Sequence, residues 1–455
     1  MPFPDGTPEQ LAPGQRACVI GAGSSGLTAV KALLEAGVPV DGYEAGSDIG
    51  GNWRYGNDNG RSSAYRSLHI ISSKDQMAFS DFPMDDATPD YGHHSDVLRY
   101  FEAYADRFGL REPFRFNTAV ERVEPADDGT WDVTLSTGET ERYGAVVVCN
   151  GHHWSPRLPD FPGRFDGEEL HAHHYTVPEP FSGKRVLVVG IGNSACDIAI
   201  DLCRIAERVV LSTRSSAYVV PKYVLGRPAD HWTSLAGERL PLKVREGLYN
   251  LLLKVVVGDQ ERYGLPKPDH SILGAHVTLN QEFVSYVGHG RIRIKPDVAQ
   301  LAGDTVRFAD GTEEPFDAIV YATGYDIRFP FLAPDVLSAE GNRIALYQRV
   351  VVPERPGLYV VGLVQPLGAI MPLAEVQAEY VAGLLAGTMA LPSGDAIRRS
   401  IRRDAERVAK RYAARPRHTI QVDFHVYRAA VRREMAAARK RARRLGIAPG
   451  PARPD

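Results

Sequence analysis

The stretch Ala17-Cys18-Val19-Ile20-Gly21-Ala22-Gly23-Ser24-Ser25-Gly26 sets a short apolar run before a glycine-rich turn, and a helical pattern follows it. A second copy repeats the arrangement: Val186-Leu187-Val188-Val189 leads into Gly190-Ile191-Gly192-Asn193-Ser194-Ala195. In each copy the first glycine, Gly21 or Gly190, permits the tight turn from strand to helix. The second, Gly23 or Gly192, removes a Cβ so that the backbone can approach a pyrophosphate at the helix N-terminus, where free N–H groups and the helix dipole favour negative charge. Gly26 in one copy and Ala195 in the other close the helix against the strand.

The copies differ at the end of the next strand. In the first that strand reads VDGYE and stops at Glu44, whose carboxylate can accept a bond from a free ribose 2′-hydroxyl. In the second it reads VVLSTR, with Ser212 and then Arg214 where a carboxylate is expected, and a guanidinium there fits a 2′-phosphate. The first turn is therefore expected to hold FAD or NAD, and the second NADPH.

Working outward, GSDIGGNWRYG after the first unit is a glycine-rich loop carrying Trp53, able to wrap a flat ring. Ser95 is expected to cap a helix on which Val97, Tyr100, Phe101, Tyr104 and Phe108 recur at core spacing. Strands are expected at Val120 to Val123, Trp131 to Leu135 and Ala145 to Cys149. IRIKPDVAQL and DTVRFADGT read as two strands joined by a turn, and Ala318-Ile319-Val320-Tyr321 as the return crossing into the first domain. The fold class is α/β, with two Rossmann-like dinucleotide-binding domains, the NADPH domain inserted into a discontinuous FAD domain. The boundaries are 15–164 and 318–427 for the two parts of the FAD domain, 165–317 for the insert, and 428–455 for a basic tail. In that tail Arg428 to Arg444 carries eight Lys/Arg against one Glu and reads as a solvated helix.

The 455 residues suffice for two or three domains, and a net charge of −3 gives no basic balance for nucleic acid. No apolar run is long enough to span a bilayer, and the Pro/Gly-rich start, through Arg16, reads as a loose leader without signal-peptide features, so the cytoplasm is expected. Cys18, Cys149, Cys196 and Cys203 form no CxxC pair and read as buried thiols, which excludes transfer of NADPH electrons to a disulfide. The histidine pairs His93-His94, His152-His153 and His173-His174 lack carboxylate or cysteine partners at ligand spacing and read as ordinary polar residues, not a metal site.

The segment FDGEELHAHHY matches the signature FxGxxxHxxxY through Phe165, Gly167, His171 and Tyr175, and the chain resembles the flavin-containing monooxygenases. GGNWR at Gly50 to Arg54, SDFP at Ser80 to Pro83, ATGY at Ala322 to Tyr325 and QPLGAIMP at Gln365 to Pro372 extend the resemblance over nearly the whole chain. It implies FAD bound through Gly21, Gly23, Gly26, Glu44 and Trp53, and NADPH through Gly190, Gly192, Ser194 and Arg214. Ala22, Ser24, Ser25, Gly51, Asn52, His69, Val120, Asn193, Ala195, Ser212, Thr323 and Gln365 complete the implied cofactor contacts. The implied chemistry is hydride transfer from NADPH to flavin N5, addition of O2 at flavin C4a, and oxygen transfer to an amine nitrogen or thioether sulfur of a small molecule. That chemistry needs a dry, preorganised pocket.

Ile71, Ser72, His171 and Tyr175 are the candidate catalytic positions. His171 and Tyr175 lie in a segment that joins the two domains and is expected to position them, a proton-donor role for His171 being the alternative. In many family members an asparagine contacts the flavin where this chain has Ile71 in Ser67-Leu68-His69-Ile70-Ile71-Ser72-Ser73. An isoleucine offers no hydrogen bond, so some diversion of NADPH electrons to peroxide is expected unless Ser72 or Ser73 substitutes. A Baeyer–Villiger monooxygenase uses the same cofactors, but its signature ends in tryptophan followed by Pro or Asp, whereas this chain has Tyr175-Thr176. An uncoupled NADPH oxidase is a further alternative, and a non-catalytic flavin-binding or redox-sensing protein, which the intact GIGNSA and STR argue against, is the last. The substrate and any homo-oligomeric state stay open.

Overall fold

A computed structural model of the chain describes residues 9–236, 242–275, 277–411 and 419–447. The first turn lies between β1 (Ala17–Ile20) and α1 (Ser24–Glu35). On one side β1 pairs in parallel with β2 (Val40–Tyr43), which continues to β3 (Phe114–Arg115). On the other it pairs with β4 (Ala145–Val148), and Leu358–Val360 completes five parallel strands. All four residues of β4 are buried, as a parallel strand covered on both faces requires.

The aromatic helix is α2 (His94–Phe108), with Val97, Tyr100, Phe101 and Tyr104 buried. Its cap, His93, lies two positions earlier than the expected Ser95. The His93 ring accepts from the Ser95 N–H at 3.3 Å, and the Asp96 carboxylate accepts from the His93 N–H at 2.8 Å, so Ser95 is capped instead of capping. Val120–Pro125, Trp131–Leu135 and Thr140–Tyr143 form a separate antiparallel meander.

A second parallel sheet holds β5 (Glu168–His171), β6 (Arg185–Val189), β7 (Arg208–Ser212), β8 (Ile292–Lys295) and β9 (Ala318–Tyr321), in the order β8-β7-β6-β9-β5. The second turn leads from β6 into α3 (Asn193–Leu202). Two expectations change here. β9, read as the return into the first domain, pairs with β6 and β5 and is buried throughout, so this apolar run closes the second sheet instead of rejoining the first. IRIKPDVAQL is not one strand. Pro296 has no N–H to donate to a ladder, and the chain leaves β8 there to form Val298–Gly303, antiparallel to Thr305–Phe308.

Beyond the second sheet the chain returns to pack α4 (Met371–Leu385) against α1, and α5 (Phe424–Arg444) against α4. The basic stretch is not simply solvated. Val431, Met435 and Ala438 of α5 are buried in the first domain's core and Ala442 is buried beyond them, the alanines allowing close approach, while Arg432, Arg433, Arg439, Arg443 and Arg444 are exposed and Arg441 donates to the Ala390 carbonyl at 2.9 Å. The leader differs as well: Glu9 accepts from the Gly357 N–H at 3.0 Å and from the Tyr359 hydroxyl, and the Leu11 N–H donates to Leu385. Residues 1–8 and 448–455 of the expected leader and tail lie outside the described residues. All four cysteines are buried free thiols, and among the described residues no helix is long and apolar enough to cross a membrane.

Candidate active site between the two glycine turns

The carboxyl ends of both parallel sheets open into one cleft of about 910 Å³, near the top of the range of about 300–1,000 Å³ for small-molecule sites. Gly21, Gly23, Ser24 and Ser25 of the first turn line it together with Gly190, Gly192, Asn193, Ser194 and Ala195 of the second.

Both turns need their glycines for stated reasons. Gly21 has φ +101°, and a Cβ there would sit 2.8 Å from the Cys149 carbonyl oxygen; Gly190 has φ +130°, with the Ala322 carbonyl 2.5 Å away. Each turn is thus pressed against the loop that follows the neighbouring strand. A Cβ on Gly26 would lie 1.8 Å from the Gly21 carbonyl oxygen, so Gly26 sets the approach of helix to turn and does not itself line the cleft. Ala22 is also buried below the surface, and its contribution is its backbone N–H.

Glu44 sits at the end of β2, buried, with both oxygens hydrogen-bonded. Its Oε2 accepts from the Ala22 N–H at 2.8 Å, and its Oε1 accepts from the Gly46 N–H and the Asn59 side-chain amide, each at 2.8 Å. The carboxylate ties strand end, turn and loop together and still faces the cleft, where its remaining lone pairs can accept from hydroxyls. The loop after it closes over the turn. The Gly50 N–H donates to Ala22 at 3.0 Å, and Gly51 stands so close to Gly23 that a Cβ on Gly51 would be 3.0 Å from the Gly23 Cα. Asn52 and Trp53 follow along the wall, with Asn52 Oδ1 accepting from the Ser63 N–H and hydroxyl.

The second turn is more open. Asn193 Oδ1 accepts from the Leu279 N–H at 2.8 Å, fixing the start of α3. Arg214 lies on the cleft rim, exposed, and among the described residues no carboxylate pairs with it. Ser212 is buried, and its hydroxyl donates to the Pro296 carbonyl at 2.6 Å; this expected contact is spent within the protein. Val120, His69, Thr323 and Gln365 all line the cleft. The Thr323 hydroxyl donates to the Arg157 carbonyl at 2.5 Å, and the His69 ring bonds the Ser67 carbonyl.

Of the four candidate catalytic positions, Ile71, Ser72 and His171 reach the cleft and Tyr175 does not. Tyr175 is buried in the second domain's core, edge-to-face with Tyr65, its hydroxyl 3.3 Å from Asp201. The His171 Nδ1 accepts from the His173 N–H at 3.0 Å, which leaves Nε2 as the donor to the Gly324 carbonyl at 3.1 Å. Burial pushes His171 down to about 4. With both ring nitrogens bonded to backbone groups, His171 ties the end of β5 to the ATGY loop. Ser73 does not line the cleft; its N–H donates to Asp230 at 2.6 Å.

The sequence reading missed several wall residues. Asn59 orients Glu44, Arg61 stacks over Trp154 at 4.8 Å, and Asp197 lies one turn into α3, accepting from the Tyr65 hydroxyl at 2.6 Å and the Asn280 amide at 2.7 Å. The signal for Asp197 was present: an acid inside the otherwise apolar run Ala195-Cys196-Asp197-Ile198-Ala199-Ile200.

A family model described as FMO-like, flavin-binding monooxygenase-like, matches residues 14–440. The chain is 40% identical over 432 residues to flavin-containing monooxygenase 5 of Oryctolagus cuniculus, covering 90% of this chain and 81% of that protein. It is 39% identical over 402 residues to dimethylaniline monooxygenase (N-oxide-forming) 2 of Mus musculus, covering 83% and 75%. Among solved structures, S-allyl-L-cysteine S-oxygenase of Allium sativum matches with a TM-score of 0.70 over 93% of this chain and 88% of its own, at 25% identity. A cleft built from two dinucleotide turns and a family match along almost the entire length lead to one conclusion: the chain belongs to the flavin-containing monooxygenases and is an NADPH-dependent enzyme carrying FAD.

Proposed function

We propose that the protein inserts one oxygen atom of O2 into a soft nucleophile, an amine nitrogen or a thioether sulfur, of a small molecule. The observation that carries this reading is the single cleft onto which both glycine turns open, so that a nucleotide on each would meet at its centre. The residues present fit both groups: Glu44 faces the first turn with acceptor capacity left, and Arg214 stands beside the second with no carboxylate partner among the described residues. Two of the similar proteins act on this chemistry by name, one forming N-oxides and one an S-oxide.

FAD in this cleft supplies, once reduced by NADPH, the activation of O2. The chain's own residues do the rest. The N–H groups of Gly23 to Ser25 and of Asn193 and Ser194 receive pyrophosphates at two helix N-termini. Glu44 accepts ribose hydroxyls and Arg214 pairs with a 2′-phosphate. Ile70, Ile71, Val364 and Ala369 give the inner wall apolar surface that excludes water. His171 stays neutral and holds the domain junction. In the proposed division the domain boundary follows β9, at the ATGY loop.

The test is aerobic turnover of NADPH with panels of amines, thioethers and ketones under isotopically labelled O2, with products read by mass. One labelled oxygen on nitrogen or sulfur is the expected result. Lactones or esters from ketones alone, or peroxide with no oxygenated product, would replace this reading with the Baeyer–Villiger or the oxidase alternative.

A further inference from the structure

The segment Tyr65–Ser73 belongs by sequence to the first domain, between the first sheet and α2, yet most of its anchors lie in the second. The Tyr65 hydroxyl donates to Asp197, and the Ser67 hydroxyl to Asp201. The Arg66 N–H donates to the Thr176 carbonyl at 2.9 Å, Lys222 Nζ to the Ile70 carbonyl at 3.2 Å, and the Ser73 N–H to Asp230. Tyr65 is buried within the second domain's apolar cluster, and Leu68 packs against it. This same segment presents His69, Ile70, Ile71 and Ser72 to the cleft.

Two of those anchors are on α3. Asp197 and Asp201 are four residues apart and so share one face of the helix. The N-terminus of α3, Asn193 and Ser194, lines the cleft at the second turn, and Asp197 follows it by about 6 Å along the axis. Asn280 donates to the other oxygen of Asp197, and Tyr175 reaches Asp201 beside Ser67, so neither carboxylate is free to swing away from the segment. A rigid rod thus connects the second turn to the wall that carries Ile71.

We propose that Asp197 and Asp201 are positioning residues that latch Tyr65–Ser73 to α3, so that a nicotinamide nucleotide seated at the second turn fixes the placement of Ile71 and Ser72 beside the flavin site. This rests on the reading of the second turn as the NADPH site. α3 transmits the effect because it is the element both ends touch. An occupied turn orders the helix N-terminus, the carboxylates carry that order to the tyrosine and serine hydroxyls, and the segment loses its freedom to open. The latch also gives Tyr175 of the signature segment a role outside the chemistry, as the group that holds Asp201 in place.

Amide hydrogen exchange read by mass spectrometry on the FAD-bound enzyme, with and without NADP⁺, tests this. In the native protein NADP⁺ should slow exchange at Gly190–Ser194 and, together with it, at Tyr65–Ser73, by roughly tenfold, within the usual range of coupling between sites. In Tyr65→Phe, which removes one hydroxyl and keeps the ring, and in Asp197→Asn, protection at Gly190–Ser194 should persist while most of that at Tyr65–Ser73 is lost. Ser67→Ala provides an independent break of the Asp201 arm should Asp197→Asn fail to fold. Undiminished protection of Tyr65–Ser73 in Tyr65→Phe and Ser67→Ala would overturn the latch, as would its absence in the native protein. Absence of protection at Gly190–Ser194 itself would overturn the nucleotide reading, and the latch with it. A second readout separates positioning from plain stability: peroxide released per NADPH should rise in Tyr65→Phe with its melting temperature near that of the native protein, and an unchanged ratio would count against the latch.

Discussion

The two glycine turns have the same backbone logic and opposite surroundings. At the first, Glu44 is buried, its oxygens are shared among Ala22, Gly46 and Asn59, and a loop with its own glycines lies down on the turn. At the second, Arg214 is exposed on the rim, without a carboxylate partner among the described residues. A site closed over its ligand suits a cofactor that stays, and an open site with a waiting charge suits one that arrives, gives up its electrons and leaves. In the proposed assignment the difference between FAD as a resident group and NADPH as a cosubstrate is therefore built into the burial of two side chains.

The sharpest way to break this comparison is to damage the closed turn. Gly26→Ala places a Cβ 1.8 Å from the Gly21 carbonyl oxygen, and the protein should purify with FAD reduced by at least roughly tenfold per chain, read from flavin absorbance. Full flavin content would show that the turn does not hold FAD. Next in size is Arg214→Ala, which should weaken NADPH by about 1.5–3 kcal/mol and leave NADH nearly unaffected, measured as the two dissociation constants. Equal losses would remove the 2′-phosphate role.

The junction between the two sites is expected to respond to pH through His171. His171 is neutral in the fold, held down to about 4 from 6.5 by burial, while the unfolded chain takes up a proton near 6.5. Its contribution is complete above that value and falls as pH drops toward 4, by about 2 kcal/mol around pH 5. Urea unfolding of the native protein and of His171→Gln near pH 7.5 and pH 5 should show a smaller pH-dependent loss in the variant; identical losses would mean that His171 does not titrate this way. The smallest effect is expected at the wall. Ile71→Asn adds an amide to the cleft wall and should lower peroxide released per NADPH by roughly two- to tenfold, the worth of one hydrogen bond. An unchanged ratio would leave Ile71 without influence on coupling.

How much of this was legible in the sequence follows from what each feature depends on. The turns, Glu44 and Arg214 were readable because strand, turn and helix are local and their spacing is fixed by backbone geometry. β9 was misassigned because a four-residue apolar run carries no record of which sheet buries it; only pairing with β6 and β5 decides. The burial of one face of α5 was missed because alanine is a weak hydrophobic signal, although its small size is what lets the helix dock. Tyr175 was grouped with the catalytic candidates on the strength of its motif, whereas its placement against Tyr65 and Asp201 depends on segments far apart in the chain. Asp197 stood out as an acid in an apolar run, but its partners Tyr65 and Asn280, like the pairing of Asn59 with Glu44, are set by the fold.

The division of labour between the turns is tested most directly by Gly190→Ala, where the added Cβ would meet the Ala322 carbonyl at 2.5 Å in a backbone conformation with φ +130°. The purified variant is titrated with NADPH in the absence of air while flavin absorbance is followed, and dithionite is then added as a chemical reductant. The expected result is a yellow protein that bleaches with dithionite and not with NADPH. Loss of the flavin on purification, or bleaching by NADPH at the native rate, would contradict the assignment of FAD to the first turn and NADPH to the second.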